Sequence, residues 1–319
     1  MSSKSNNNGR AYEYIWINLL QEEFSIYKKT TIINNSSLIA NEKAWNSIDI
    51  DMKNKLLLSA KSAVKKIIEL EPNIIENDDT ELILECQQDN KGRIGDVRDI
   101  VIKNEFTGWE VGLSIKHNNS AVKHSRLSHK LDFGQDWLSI PCSDDYWNDI
   151  NKIFDNLKYY KDNKVKWSSI IDKGNIVYKP LLTAFMNEIE RMYKVNDDLP
   201  VKMMEYLLGS KDYYKVVSMD SNKVTLISCY NMKGTLNQNS GIILSSIHVP
   251  IVELPTELIA LRFKKDSLNT LEMYLNNGWQ LKFRIHNASD IVELSLKFDI
   301  QIIGIPNSIL RIECNWQND

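Results

Sequence analysis

Cysteine is scarce in this sequence and widely spaced. Its four cysteines, Cys86, Cys142, Cys229 and Cys314, include no C-x-x-C pair, which argues against a disulfide framework and against a compact zinc site. There is no run of roughly eighteen apolar residues, so no membrane-spanning helix is expected. The opening, MSSKSNNNGR, is polar and has no apolar signal region, and a reduced cytoplasm is the expected location. A strong charge of one sign is missing too. Lys and Arg number 39 against 42 Asp and Glu, a net charge of −3, so any nucleic-acid partner must be met by a local patch. Core-forming material, in contrast, is plentiful. With 319 residues, 43% hydrophobic and 25% charged, the chain can build one elaborated domain or two fused ones.

One stretch lacks acid altogether. From Val111 to Leu131 there is no Asp or Glu, while Lys116, Lys123, Arg126 and Lys130 stand among His117, His124 and His129, interleaved with Asn118, Asn119, Ser120, Ser125 and Ser128. Side chains of these types contact phosphate oxygens, and Arg, Lys and Asn also read base edges in the major groove. DNA contact is therefore expected from His117, Asn118, Asn119, Lys123, His124, Arg126 and Lys130; the alternative is a solvated loop and helix start. The histidine spacings match no compact metal-ligand motif.

Just ahead of this stretch, Gly95 to Lys116 reads as two strands and a tight loop. Asp99 to Lys103 is β-branched, residues 104–108 carry turn formers, and Trp109 to Lys116 alternates again. Pairing about Phe106 sets Asp99 opposite Ser114, with Lys116 on the face of Ser114. An acid, a small polar group and a lysine converge, as magnesium-dependent phosphodiester hydrolysis requires. The alternative is an ordinary amphipathic hairpin with solvated charges. The spacing resembles the PD-(D/E)xK nuclease pattern, with one departure: Ser114-Ile115-Lys116 lacks the second carboxylate. Glu110 shares the face of Ser114, but four residues of strand separate them by about 13 Å, too far for one metal. Asp132, Glu13 and Asp96 are the better candidates to join Asp99 at Mg2+.

The remaining elements follow from periodicity. Ala11 to about Lys28 reads as a helix with Glu13 one position off its apolar face, and Leu56 to Ile68 as a second helix that Pro72 stops. The acidic loop Glu76 to Glu81 and the polar Gln87 to Arg93 lead into the hairpin. Helices are expected over Asp144 to Tyr160 and Pro180 to Tyr193, with the polar residues 161–179 as a connection, and strands at VVSM and VTLISCY around Asp220-Ser221-Asn222. The loop NMKGTLNQNSG offers Lys233 and Asn237 as weak DNA-contact candidates. Near the end, Gln280, Lys282, Arg284 and His286 oppose Leu281, Phe283 and Ile285, and Ser295, Lys297, Asp299 and Gln301 oppose Leu294, Leu296, Phe298 and Ile300. These form a hairpin closed at Asn287-Ala288-Ser289-Asp290, one face core and one polar. Base readout by Lys282, Arg284, His286, Asn287 and Lys297 competes with a simply solvated face. The expected class is α/β (α+β): a nuclease core with helices over residues 1–175, and a β-rich recognition part over 176–319 packed on it.

The runs GRAYEY, GDVRDI, WEVGLSIKHNNSAVKHSRLSHKLDFG, GWQLKFRIHNAS and SLKFDIQIIG resemble the HaeIII family of type II restriction endonucleases across nearly the whole chain. That resemblance implies a restriction-endonuclease-like fold and Mg2+-dependent cleavage of double-stranded DNA at GGCC with blunt ends. A palindromic site favours a homodimer related by a two-fold axis, the alternative being one copy that reads the whole site, and a functional pairing with a cognate DNA methyltransferase is expected. A binding protein that has lost catalysis, and a nuclease with another target, such as a repair or RNA-directed enzyme, are the competing readings.

Overall fold

The computed structural model describes residues 2–76, 79–88, 95–118, 121–240 and 243–317. Helix α1 (Ser2–Phe24) begins earlier than the expected Ala11 and ends at Phe24. Tyr12, Trp16, Leu19, Leu20 and Phe24 are buried along one face of it. Strand β1 (Lys29–Ile32) follows, and then α2 (Ser36–Ser47), capped by the Asn35 side chain on Leu38 N. Asp49 caps α3 (Ile50–Leu70) in the same way, and Pro72 opens a single further turn, α4 (Pro72–Ile75). Strand β2 (Glu81–Cys86) alternates buried Leu82, Leu84 and Cys86 with part-exposed neighbours, so the acidic stretch is only in part a loop. Next come β3 (Ile100–Asn104) and β4 (Trp109–His117), and β5 (Ala121–Ser128), in a stretch for which no strand was expected.

After α5 (Phe133–Leu138), helices α6 (Asp144–Asp162) and α7 (Lys179–Tyr193) fall close to their expected bounds, and α8 (Leu199–Leu208) precedes β6 (Tyr213–Met219) and β7 (Val224–Tyr230). The chain closes with β8 (Leu258–Phe263), β9 (Thr270–Leu275), β10 (Gln280–His286), β11 (Ser295–Gly304) and β12 (Arg311–Asn315). No described helix is long and apolar enough to cross a membrane.

Contacts divide the chain into two units, one of Met1–Ser120, Gly209–Glu253 and Asn307–Asp319, the other of Ala121–Leu208 and Leu254–Pro306. This differs from the sequential division expected at residue 175. The reason is strand pairing: β6 lies parallel to β4, and β7 and β12 extend the same sheet, so distant segments return to the first unit.

The first unit holds a seven-stranded mixed sheet, β1-β2-β3-β4-β6-β7-β12. Leu84, Ile100, Ile102, Leu113, Ile115, Val216 and Ile227 on one face pack with α1 and α3 in a single core. Burying each such side chain contributes about 1.5–3 kcal/mol. The second unit holds an antiparallel sheet, β5-β11-β10-β9-β8. Its apolar face meets the helices through an aromatic cluster in which Phe185 lies 4.8 Å from Phe133, 5.6 Å from Phe283 and 5.0 Å from Phe298 between ring centres. The polar face, with Arg284 and Lys297, is left uncovered by that packing.

Candidate active site and candidate nucleic-acid face

The β3–β4 register sets Ile100 opposite Leu113 and Asn104 opposite Trp109; the ladder ends there, where Asp99 N donates to Leu113 O at 2.8 Å, and the Asp99 side chain meets Ser114 by a hydrogen bond of its own. The turn is built by Asn104, whose side-chain oxygen accepts from the backbone N–H groups of Phe106 and Thr107. Asp99 therefore stands at the open end of the hairpin. Its Oδ2 accepts from Ile115 N at 2.7 Å, Lys116 Nζ at 2.8 Å and Ser114 Oγ at 3.3 Å. Ser114 is thus a partner of the carboxylate rather than a substitute for the missing one.

Glu13 supplies the second acid. It projects from α1, and its Oε2 accepts from Asn41 Nδ2 of α2 at 2.9 Å. Burial and then the negative charge of Asp99 hold its carboxyl well above the ordinary range, while Lys116 opposes the shift. A carboxyl whose ionisation is opposed by a second carboxylate nearby invites a cation between them. Among the described residues no three His, Cys, Asp or Glu form a ligand group. A pair of hard carboxylate oxygens suits Mg2+, which keeps several waters and takes its remaining ligands from substrate phosphate.

The other acids are committed elsewhere. Asp96 is gripped through both oxygens by Arg98 Nε and Nη2, each at 2.8 Å, so the metal role expected for it is not supported. Arg98 also reaches Glu110 at 3.1 Å, and Lys211 holds the same Glu110 oxygen at 3.1 Å. The Arg98 stem crosses β4 at Gly112, where a Cβ would lie 1.9 Å from its Cδ. Asp132 caps α5 on Gln135 N at 2.9 Å and also accepts from Cys142 N at 3.1 Å, a structural task in place of the expected catalytic one. Glu13 is the candidate that the structure brings to Asp99.

The expected DNA contacts divide in the same way. His117 Nε2 lies 3.0 Å from Asp220 Oδ1, and the Asn118 side chain bonds His117 at 3.1 Å and Asp220 N at 3.0 Å. These two tie the end of β4 to the β6–β7 turn. Lys123 is turned to the covered face of β5: its Nζ donates to Tyr206 O at 2.8 Å and sits 3.6 Å from the Tyr206 ring centre. Burial pulls that ammonium down to about 8, so the phosphate contact expected of Lys123 is replaced by a packing role. Asn287 builds its turn, donating to Ser289 O at 2.8 Å and accepting from Tyr178 at 3.3 Å. Asn237 donates to Leu70 O, and the backbone N of Lys233 donates to Asp212. Asn119 and the His124 side chain lie outside what is described.

Arg126, Lys282, Arg284, His286 and Lys297 remain on the polar face of the five-stranded sheet, and Lys130 is exposed just beyond β5. Pairing places Lys297 beside both Arg126 and His286, and Arg284 beside Asp299. Sequence reasoning took Asp299 only as one of the polar face. Its Oδ2 holds His286 Nε2 at 2.8 Å and lies 3.6 Å from Arg284 Nη2. Lys215 was missed as well, because the strand holding it was read as beginning at Val216 rather than at Tyr213. It is 7% exposed on β6, opposite Ser114. Burial and then the charge of Lys116 pull its ammonium down to about 8, with Asp99 opposing. A lone lysine inside the apolar run YYKVVSM was the available signal.

A mixed sheet whose hairpin presents Asp99 and Lys116, beside a half-buried glutamate of α1, has the α+β architecture of the restriction-endonuclease type. The sequence model of the HaeIII restriction endonuclease family matches residues 9–306. The type II restriction enzyme HaeIII of Haemophilus aegyptius is 47% identical over 318 residues, which cover 99% of this chain and 100% of that protein. The chain belongs to the HaeIII restriction endonuclease family and is a type II site-specific deoxyribonuclease. Type II restriction enzymes act on double-stranded DNA and in general require a divalent metal. No solved structure matches this chain.

Proposed function

We propose that the chain hydrolyses phosphodiester bonds at GGCC to leave blunt ends, with Asp99 and Glu13 holding Mg2+ and Lys116 serving the attacking water. The observation that carries this reading is the convergence of three groups: Asp99 and Lys116 at 2.8 Å, and the half-buried Glu13 within reach of both charges. A bound Mg2+ supplies positive charge to a phosphoryl oxygen and lowers the pKa of water. Lys116, aimed by its bond to Asp99, offsets the charge that develops on the attacking oxygen. Ile115 N and Ser114 Oγ fix the Asp99 carboxylate, and Asn41 fixes that of Glu13. The face carrying Arg126, Lys282, Arg284, His286 and Lys297 reads the site, since Arg suits guanine O6 and N7. A palindromic site fits two copies related by a two-fold axis, and a host exposing such sites in its cytoplasm needs a methyltransferase that protects them. Plasmid digestion in Mg2+ and in EDTA, with fragment ends mapped, tests the reading. Asp99→Ala and Lys116→Ala should each abolish cleavage while binding to the cognate duplex persists. Undiminished cleavage by either variant removes the assigned site, and Mg2+-independent binding by a wild type that never cleaves favours the inactive DNA-binding alternative.

A further inference from the structure

Lysine is a costly choice for the position it occupies in β6. Residue 215 is flanked by buried Tyr213, Tyr214, Val216 and Val217, and an ammonium withdrawn from water there is unfavourable unless its charge is used. Its register shows where that charge falls. Lys215 pairs with Ser114 across the parallel β4–β6 ladder, and Ser114 Oγ donates to Asp99 Oδ2 at 3.3 Å. Paired positions in a ladder share a face, so Lys215 stands beside Ser114 on the side where Ser114 meets Asp99, and the three form a row about 10 Å wide. Lys116 lies two residues along on the same face.

We propose that Lys215 is a positioning residue of the hydrolytic site: a fixed cation, in line with Ser114 and Asp99, that opposes a divalent metal in the DNA-free protein and attracts the phosphodiester anion. The charges of the residues around the site support it. Asp99 and Glu13 stand among the cations Lys116, Lys215 and Arg10, so a bare metal ion enters a cradle whose negative charge is already offset and adds positive charge to it. An incoming phosphodiester and an attacking hydroxide restore balance. Metal and DNA therefore arrive as mutual requirements, and the ammonium of Lys215 is the charge that makes them so. The site's single pair of acids fits this arrangement, in which a fixed lysine does part of what a second metal does elsewhere.

The inference rests on Asp99 and Glu13 as the metal cradle, and the experiment separates the two. Mn2+ binding to the full chain without DNA is followed by electron paramagnetic resonance, and cognate duplex binding is titrated in EDTA. Lys215→Met removes the charge at similar size, and Lys215→Gln repeats the neutralisation should Met fail to fold. Either should bind Mn2+ roughly tenfold more tightly than wild type, bind duplex less tightly in EDTA, and cleave more slowly. Lys215→Arg should restore all three. A purely structural lysine would lower stability without tightening Mn2+, and unchanged or weaker Mn2+ binding by the neutral variants overturns the proposal. Asp99→Asn is the control. If it binds Mn2+ as wild type does, the cradle itself is misassigned and the role of Lys215 falls with it; if it loses Mn2+, the Lys215 result stands on its own.

Discussion

Glu13→Gln should make the protein more stable and inactive at once. The glutamine keeps the shape of the side chain and an oxygen to accept the Asn41 bond of 2.9 Å, but carries no charge into a buried position beside Asp99. Burial, then Asp99, holds the Glu13 carboxyl raised in the folded protein. The unfolded chain ionises first as pH rises, so the folded state loses stability from the ordinary glutamate range up to its own raised value. Below that window both forms are protonated and the loss vanishes. Each unit of upward shift costs about 1.4 kcal/mol above the window. With a discount for the solvent that reaches this half-buried group, wild type should trail Glu13→Gln by on the order of 2 kcal/mol at pH 8 and by almost nothing at pH 4. Urea midpoints in EDTA at the two pH values measure this, and added Mg2+ should stabilise wild type while leaving the variant unmoved. Asp132→Asn is the contrast: weaker capping costs at most about 1 kcal/mol, with cleavage retained. A Glu13→Gln protein that is less stable at pH 8, or that still cleaves, refutes the reasoning.

Two further outcomes concern the DNA. Lys130→Ala should reduce the salt slope of duplex binding by about 0.9, the effect of one lost phosphate contact, whereas Lys123→Met should leave the slope alone because that ammonium is bound to Tyr206 O; equal slopes for the two variants would contradict the assigned faces. Arg126→Ala and Arg284→Ala should each weaken cognate binding by about 1–3 kcal/mol and scrambled duplex much less, and equal losses on both duplexes would make them phosphate anchors.

The hairpin was legible because it is local. Its turn residues, its β-branched arm and a single register placed Asp99 against Ser114 without knowledge of anything distant. The β10–β11 pair was legible for the same reason, since Leu281, Phe283 and Ile285 alternate cleanly with polar neighbours. Strand β5 was not. Lys123 and Ser125 occupy its covered face by bonding Tyr206, so the pattern that marks a strand is hidden by polar residues on both sides. β2 was obscured by Glu81 and Glu85, which sit at its part-exposed positions. Within the site, sequence could name Glu13, Asp96 and Asp132 but not choose among them. The choice depends on Arg98, which occupies Asp96 from two residues away by an aim set where its stem crosses Gly112, and on Asn41, which holds Glu13 from another helix. The two-unit division was hidden for a related reason, because nothing local marks β6 as the neighbour of β4.

The interleaving of the two units governs how such a protein can change. Three segments of one alternate along the chain with two of the other, so the backbone passes between them four times. Neither unit can be cut out as a continuous cassette, and a recognition unit borrowed from elsewhere would have to match four junctions at once. β4 and β5 are joined by residues 118–120 alone, leaving little room for an insertion to be absorbed. New sequence preferences in this lineage should therefore arise by side-chain replacement within existing strands, and engineered variants will be found sooner by saturating positions on β5, β10 and β11 than by recombining fragments.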